Sequence, residues 1–372
     1  MKIKVLYMVI NMNIGGTEKA LLNMIAEMPK EQYDITILML EKYGGFLEEI
    51  PEEVTVEYVD GYSEIKDIYQ NPPKETFKSY IVNGNIIKGF TFSIVILLSK
   101  ILNNKGLFFK YILKDTPALK KGYDTAVAYA GPMDLISYFV VHKIKAKKRV
   151  QWIHFDVTKI GFDFRFANKL YPKFNKIYVV SKEGKEKLTN ILPNLINKIE
   201  AYPNKISTNL ILKLAGEGQG FKDDFEGIRI LTVGRLSKEK GQDLVIPVLT
   251  KLRKKGYKVR WYCIGEGKAR SDYEKLIKKY DVEENFVLLG AYSNPYPFMK
   301  QCDIYVQPSR HEGFCITLAE AKCFFKSIIT TDFIGAKEQL TNFETGFIVG
   351  TSENEIYQAL EKVIKSKRSL SN

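Results

Sequence analysis

The chain has little cysteine, four residues in 372. Cys263, Cys302, Cys315 and Cys323 lack metal-ligand spacing, which argues against a zinc site. So sparse a usage fits a reducing, cytoplasmic setting. Cys263, Cys302 and Cys323 read as buried apolar residues. No secretory leader is expected either. The opening MKIKVLYMVINMNIGG has a basic start and an apolar run. That run alternates as a buried first strand does and has no small-residue cleavage site. No apolar run reaches the roughly 18–20 residues that cross a bilayer. The nearest, Phe90–Leu98, is bounded by Lys88 and Lys100. Gly-x-Gly-x-x-Gly is absent after the first strand, which counts against NAD or FAD. No two aspartates stand two apart, so the usual carboxylate pair for a phosphate-bridging cation is missing and no obligate metal is expected. Nor does a nucleic-acid-binding module accompany the net charge of +13.

What is present is enough chain for two cores. The composition, 45% apolar and 27% charged, is globular, and the length exceeds one typical domain. Strand-like apolar runs alternate with helical patterns from end to end, the mark of α/β folds with parallel sheets. Strands are expected at 4–10, 34–40, 54–59, 125–129, 149–154 and 176–180 in the first half. In the second half they are expected at 228–233, 259–264, 286–289, 304–307, 328–330 and 346–349. Helical stretches such as 17–28 and 244–255 separate most of them. Pro203, Gly216, Gly218, Gly220 and the charged FKDDFEG suit a linker, so the domains are placed at 1–204 and 205–372. The last helix, 353–367, could pack on either one.

Between Asp60 and Lys121 the pattern is less regular. Lys74, Lys78, Lys88, Lys100, Lys105, Lys110 and Lys114 interleave with Phe, Ile, Leu and Tyr. This suits an interfacial amphipathic surface or, alternatively, ordinary helices of the fold with an insertion. The charge surplus likewise suits a polyanion, such as anionic lipid or a phosphate-bearing substrate, or a plain lysine-rich surface.

Three motifs carry chemistry. Asn13-Ile-Gly15-Gly16-Thr17-Glu18 follows the first strand and opens a helix. Adjacent glycines let a ligand approach the backbone, and a helix N-terminus offers N–H groups to an anion. Val233-Gly234-Arg235-Leu236-Ser237-Lys238-Glu239-Lys240-Gly241 ends another strand, where open α/β sheets place ligands. Arg235 and Lys240 there can converge on a diphosphate, Arg as a fork and Lys as a point charge. His311-Glu312-Gly313-Phe314-Cys315-Ile316-Thr317-Leu318-Ala319-Glu320 sets two carboxylates around a glycine loop, with a helix beginning near Thr317. The loop and helix dipole suit a phosphate, and the glutamates suit hydroxyl groups.

In this order and spacing, GGTE, VGRLSKEKG and HEGFCITLAEA closely resemble the family 4 retaining glycosyltransferases of GT-B fold. Gly265-Glu266-Gly267 and Tyr202-Pro203-Asn204 add to the resemblance, which covers nearly the whole chain but weakens between Asp60 and Lys121. It implies two facing Rossmann-like domains with parallel sheets and the active site in the cleft between them, the N-terminal domain for acceptor and the C-terminal one for the nucleotide sugar. Arg235 and Lys240 would meet the donor diphosphate, joined by backbone of Ile316 and Thr317 and by Gly15 and Gly16. Glu320 would hold the ribose, and Gly313, Phe314 and Cys315 the sugar. Cys315 departs from the glycine of many relatives, which bears on sugar preference. Glu312 and His154 stand at the catalytic positions.

The resemblance implies retention at the anomeric centre. Front-face attack with the leaving phosphate as base fits the lack of an obvious nucleophile; Glu312 as nucleophile is the minor reading. Fixed cations would replace a metal, so no cofactor is expected. The expected function is transfer of a hexose or N-acetylhexosamine from a nucleotide sugar, by family frequency a UDP-sugar, to a glycan acceptor. A lipid-linked acceptor at the inner membrane face suits the lysine-rich first half, as in bacterial surface polysaccharide synthesis, with the protein cytoplasmic or peripheral on an anionic membrane. A UDP-sugar epimerase of the same shape, a nucleotide-linked oxidoreductase and a non-catalytic polyanion-binding protein are the alternatives.

Overall fold

The computed structural model describes residues 1–371, the last four by their helical backbone alone; the expected domain end at Asn372 lies outside them. Two parallel sheets organise the chain, each within its own compact unit. The first contains β1 (Ile3–Val9), β2 (Tyr33–Met39), β3 (Thr55–Tyr58), β4 (Gly122–Gly131), β5 (Lys145–Ile153), β6 (Lys176–Val179) and β7 (Ile199–Ala201) in the order 3-2-1-4-5-6-7. The second contains β8 (Ile228–Val233), β9 (Val259–Ile264), β10 (Phe286–Gly290), β11 (Ile304–Gln307), β12 (Ser327–Thr331) and β13 (Gly346–Val349) in the order 10-9-8-11-12-13. All twelve expected strands are present. The three-residue β7 escaped the sequence reading because so short a run has no readable period.

Parallel pairing requires crossovers, and helices supply them. The first half carries α1 (Gly16–Ala26), α2 (Tyr62–Gln70), α3 (Pro73–Val82), α4 (Ile86–Ile101), α5 (Lys105–Ile112), α6 (Asp134–His142), α7 (Phe164–Leu170) and α8 (Lys182–Ile191). The second half carries α9 (Thr208–Leu214), α10 (Gln242–Lys254), α11 (Arg270–Lys279), α12 (Tyr296–Gln301), α13 (Ile316–Lys322), α14 (Ala336–Leu340) and α15 (Glu353–Ser371). The irregular stretch after Asp60 thus resolves into four helices between β3 and β4. Phe109 of α5 is fully buried and ties this group to the first core, beside Tyr138 and Phe166 at ring distances of 5.5 and 5.4 Å.

Strand residues of the second sheet divide alternately between two cores, as the period of two requires. Ile230, Trp261 and Ile304 pack with α10, α11 and α15. Their neighbours Leu231, Tyr262 and Tyr305 pack with α9, α12, α13 and α14. The last helix buries Ile356, Leu360 and Ile364 in the first of these cores, so it belongs with the second sheet. The chain changes unit at Tyr202–Pro203. Two excursions precede that point: Ile14–Glu27, which holds α1, and Val180–Gly184 group with the second unit.

Candidate active site

In an open parallel sheet, ligands bind beyond the carboxyl ends of the strands where the strand order reverses. In the second sheet that point lies at the neighbours β8 and β11. Both lead into motifs singled out above, β8 into 233–241 and β11, past Pro308–Arg310, into 311–320.

Glycine permits these loops to interlock. Gly241 has φ +73°, and a Cβ there would stand 2.0 Å from the Pro308 carbonyl oxygen. Gly265, just past β9, has φ +145°, and its Cβ would stand 2.1 Å from the Gly234 carbonyl oxygen. Left-handed backbone and backbone-to-backbone approach both demand glycine. Arg310 adds a clamp. Its guanidinium donates to both Asp243 carboxylate oxygens at 2.8 Å, and its backbone N–H donates to the Glu239 carbonyl at 2.7 Å. Sequence reasoning missed this pair, since nothing local links an arginine before His311 to an aspartate 67 residues earlier.

A chain of polar side chains underlies the loop. The Tyr305 hydroxyl donates to Gln307 Oε1 (2.7 Å), Gln307 Nε2 donates to Ser309 Oγ (2.9 Å), and Ser309 Oγ donates to Glu312 Oε1 (2.7 Å). Lys240 Nζ reaches the same Glu312 oxygen at 2.6 Å. Two residues predicted from separate motifs are therefore an ion pair. Burial alone would lower the Lys240 pKa, but the adjacent Glu312 outweighs it and the ammonium is raised. Arg235 is exposed on the same loop.

Cys315 adopts φ +61° and caps α13, which starts at Ile316. Its thiol is buried and pushed up by burial, so it stays protonated, with Sγ 3.4 Å from Thr317 Oγ1. Thr317 Oγ1 in turn donates to Gln307 Oε1 at 3.2 Å. Gly313 is buried, and the Phe314 carbonyl accepts from Gln339 of α14, which ties the loop down. Of the cysteines expected to be buried, Cys263 and Cys302 are; Cys323 is only half-buried, because it ends α13 and faces Thr208 Oγ1 at 3.7 Å.

Glu320 lies one turn into α13 and is 2% exposed. Burial pushes its carboxyl up to about 7; the Tyr296 hydroxyl, 2.8 Å from Oε1, and the charge of Lys19 counter this only in part. Lys19, on α1, places Nζ 5.4 Å from the Tyr296 ring centre. Gly15 caps α1 in extended backbone, and Gly16 sits where a Cβ would meet Ile316 Cγ2 at 3.4 Å. Glu18 of the same helix is also pushed up to about 7 by burial, against the charge of Arg235. Gly15, Gly16, Arg235, Lys240, Glu312, Glu320 and the loop Gly313–Thr317 thus gather in the second unit. Lys19 and Tyr296 were not predicted. The available signal was a lysine among Ala20, Leu21, Leu22, Met24 and Ile25, all of them buried.

His154 lies in the first unit, one residue past β5. Its ring is 4.5 Å from that of Tyr129. Burial pushes the imidazole down to about 3, opposed only in part by a hydrogen bond to the Tyr129 backbone, so it is neutral near pH 7. Nε2 has no hydrogen-bond partner among the described residues. Among those residues, no group of three or more His, Cys, Asp or Glu gathers so as to hold a metal ion.

Residues 221–372 match the family described as "Glycosyl transferases group 1". A Campylobacter jejuni protein named N-acetylgalactosamine-N,N'-diacetylbacillosaminyl-diphospho-undecaprenol 4-alpha-N-acetylgalactosaminyltransferase is 32% identical over 201 residues, 54% of this chain and 53% of that one. The Staphylococcus aureus capsular polysaccharide biosynthesis glycosyltransferase CapM is 31% identical over 137 residues, 36% of each chain. The chain thus spans about half or less of the length of these relatives. The structure of Anabaena HepE in complex with UDP superposes with a TM-score of 0.64 at 17% identity, covering 99% of this chain and 91% of that one. Two parallel Rossmann-like sheets and this likeness make the fold GT-B.

Proposed function

We propose that this chain is a retaining, metal-independent glycosyltransferase that moves a hexose or N-acetylhexosamine from a UDP-sugar to a lipid-linked glycan in bacterial surface polysaccharide synthesis. The observation that carries the reading is the cluster of Arg235, Lys240, Glu312 and Glu320 at the ends of β8 and β11, within the matched family region. The UDP assignment is supported by the HepE complex. The acceptor class is supported by the Campylobacter relative, whose name specifies a diphospho-undecaprenol acceptor, and by the capsular role named for CapM.

The donor diphosphate lies against Arg235 and Lys240. As the bond from the anomeric carbon to the diphosphate oxygen breaks, these cations stabilise the charge that develops on the leaving group, an electrostatic mechanism. The acceptor hydroxyl forms the new bond on the same face, and its proton passes to the departing phosphate oxygen. Configuration is retained without a protein nucleophile. Lys240 keeps its pairing with Glu312 in the resting site, so the ammonium is held in place before donor arrives. Glu320, in its ionised form, accepts hydrogen bonds from the ribose hydroxyls. Neutral His154 is suited to hydrogen-bond a sugar hydroxyl and unsuited to carry charge near pH 7. With fixed cations on the leaving group and no Asp-x-Asp pair in the chain, a divalent ion has no required role.

Thermal shift with UDP, GDP and ADP is the direct test, since a ligand at about 100 times its Kd stabilises by roughly 2.7 kcal/mol. UDP should raise Tm most, and sugar transfer should persist in EDTA. Loss of transfer in EDTA with recovery on adding Mn²⁺ would sink the metal-independent mechanism. Isomerisation of a UDP-sugar without acceptor would replace transfer by epimerisation.

A further inference from the structure

Helix α4 breaks the usual division of apolar inside and polar outside. Ile87, Phe90, Ile94, Leu97 and Ile101 recur at spacings of three and four, so they form one stripe along the helix. All five are exposed, Ile87 by 83%. The opposite side is apolar too, and it is the side that packs: Phe92 is buried against Tyr80 and Tyr111, and Gly89 lets α3 come close. The polar residues are tied to the helix's own backbone, with Thr91 donating to the Ile87 carbonyl at 2.7 Å and Ser93 to that of Gly89 at 3.0 Å. Beside the stripe, Val95, Leu98, Leu107 and Tyr111 line an apolar groove of about 330 Å³ with Lys110 and Lys114 at its edge.

Charge identifies the occupant. From Thr76 to Lys114 the chain holds no aspartate or glutamate; Lys105 pairs with Asp134 at 2.5 Å and Lys114 lies 4.0 Å from Asp115, and Lys78, Lys88, Lys100 and Lys110 carry the remaining positive charge of the segment. A second copy of this chain docked on the same face would set Lys78, Lys88, Lys100 and Lys110 against their own counterparts. An anionic bilayer supplies both an apolar layer for the stripe and phosphates for the ammonium groups. The helix is too short to span: its 16 residues reach about 24 Å at about 1.5 Å each, and no described helix is long and apolar enough to cross a membrane. It must therefore lie in the plane of the interface.

We propose that the α4 stripe, framed by these lysines and continued by the Lys110–Lys114 groove, docks the protein on an anionic membrane surface. The stripe supplies insertion, and the lysines supply attraction that falls with salt. This inference stands apart from the transferase reading, since its readout is binding to lipid alone.

The test is co-sedimentation of the full chain with phosphatidylglycerol–phosphatidylethanolamine vesicles, with phosphatidylcholine vesicles as reference. Wild type should bind the anionic vesicles at least tenfold more tightly than the neutral ones. Ile87→Glu with Ile94→Glu should weaken binding tenfold or more, at unchanged Tm and unchanged UDP-induced shift. Lys88→Gln with Lys100→Gln should reduce the salt dependence and leave the fold intact. Phe325→Glu, at an apolar residue 82% exposed on the other sheet's unit, should bind as wild type. The proposal is overturned if the Ile87/Ile94 variant binds like wild type. It is equally overturned if wild type ignores anionic vesicles, or forms a dimer that the same variant dissolves.

Discussion

The second unit buries charge, and the first exposes oil. Around β8 and β11, Lys240, Glu312, Glu320 and Lys19 are largely withdrawn from water and held by named partners. On α4, five large apolar side chains are each more than half exposed to solvent. Each arrangement is unfavourable by itself. A buried unpaired charge is expensive, and a contiguous exposed apolar surface invites association. The comparison teaches that the two departures answer to different partners. Pre-placed charges suit a small anionic ligand that binds in a fixed geometry. An apolar stripe ringed by lysines suits an extended, fluid surface that asks for no geometry at all.

The strongest challenge to the buried-charge side is Lys240→Ala. It removes a cation from the leaving group, and transfer should fall about 10²–10³-fold, the loss typical of one preorganised electrostatic contact. Steady-state transfer assays would read this, with circular dichroism to check that the fold survives the unpaired Glu312. A loss below threefold would mean that Lys240 serves only to hold Glu312.

A smaller effect is expected at Glu320. Its carboxyl, raised to about 7 in the fold from 4.5, binds more protons folded than unfolded between those values. Its contribution to stability is therefore full below 4.5 and is lost as pH rises through about 7. Ribose binding needs the ionised form, so UDP affinity should rise over the same interval. Glu320→Gln should weaken UDP by about tenfold, roughly 1.4 kcal/mol, and remove the pH dependence of both quantities. Titration calorimetry from pH 6 to 8 would decide it; a wild-type Kd that ignores pH contradicts the assigned role.

The smallest effect belongs to the Arg310–Asp243 clamp. It is partly exposed, and its coupling in a double-mutant cycle should be about 1 kcal/mol. Arg310→Ala should loosen the 308–312 loop and raise KM for donor more than it lowers kcat. If kcat falls and KM holds, the arginine touches the reacting groups and is more than a clamp.

The cluster beyond β8 and β11 was legible as a candidate site because its parts are local. The strand end at Val233, cations two and seven residues later and Gly241, required by backbone contact, all fall within one short motif. His154 was singled out by its place after a strand and by resemblance; nothing in Gln151–Asp156 announces that burial will hold its imidazole neutral. Lys19 and Tyr296 were overlooked because their shared partner, Glu320, is 301 residues from one and 24 from the other. Helix α4 failed differently. It is apolar on both faces, so periodicity could not say which face would be covered, or whether either would be left bare.

By itself the sequence determined the twelve longer strands, the parallel α/β class and the glycine-bounded loops of the second half. Apolar periodicity and strand-end turns are properties of neighbours in the chain. The tertiary structure alone decided that Lys240 pairs with Glu312, that Glu320 is buried deeply enough to titrate near 7, and that the Ile87–Ile101 stripe faces solvent. Each of these depends on which distant segments the strand order 10-9-8-11-12-13, or the insertion after β3, brings side by side. Burial and pairing are consequences of that juxtaposition, and no local pattern encodes them.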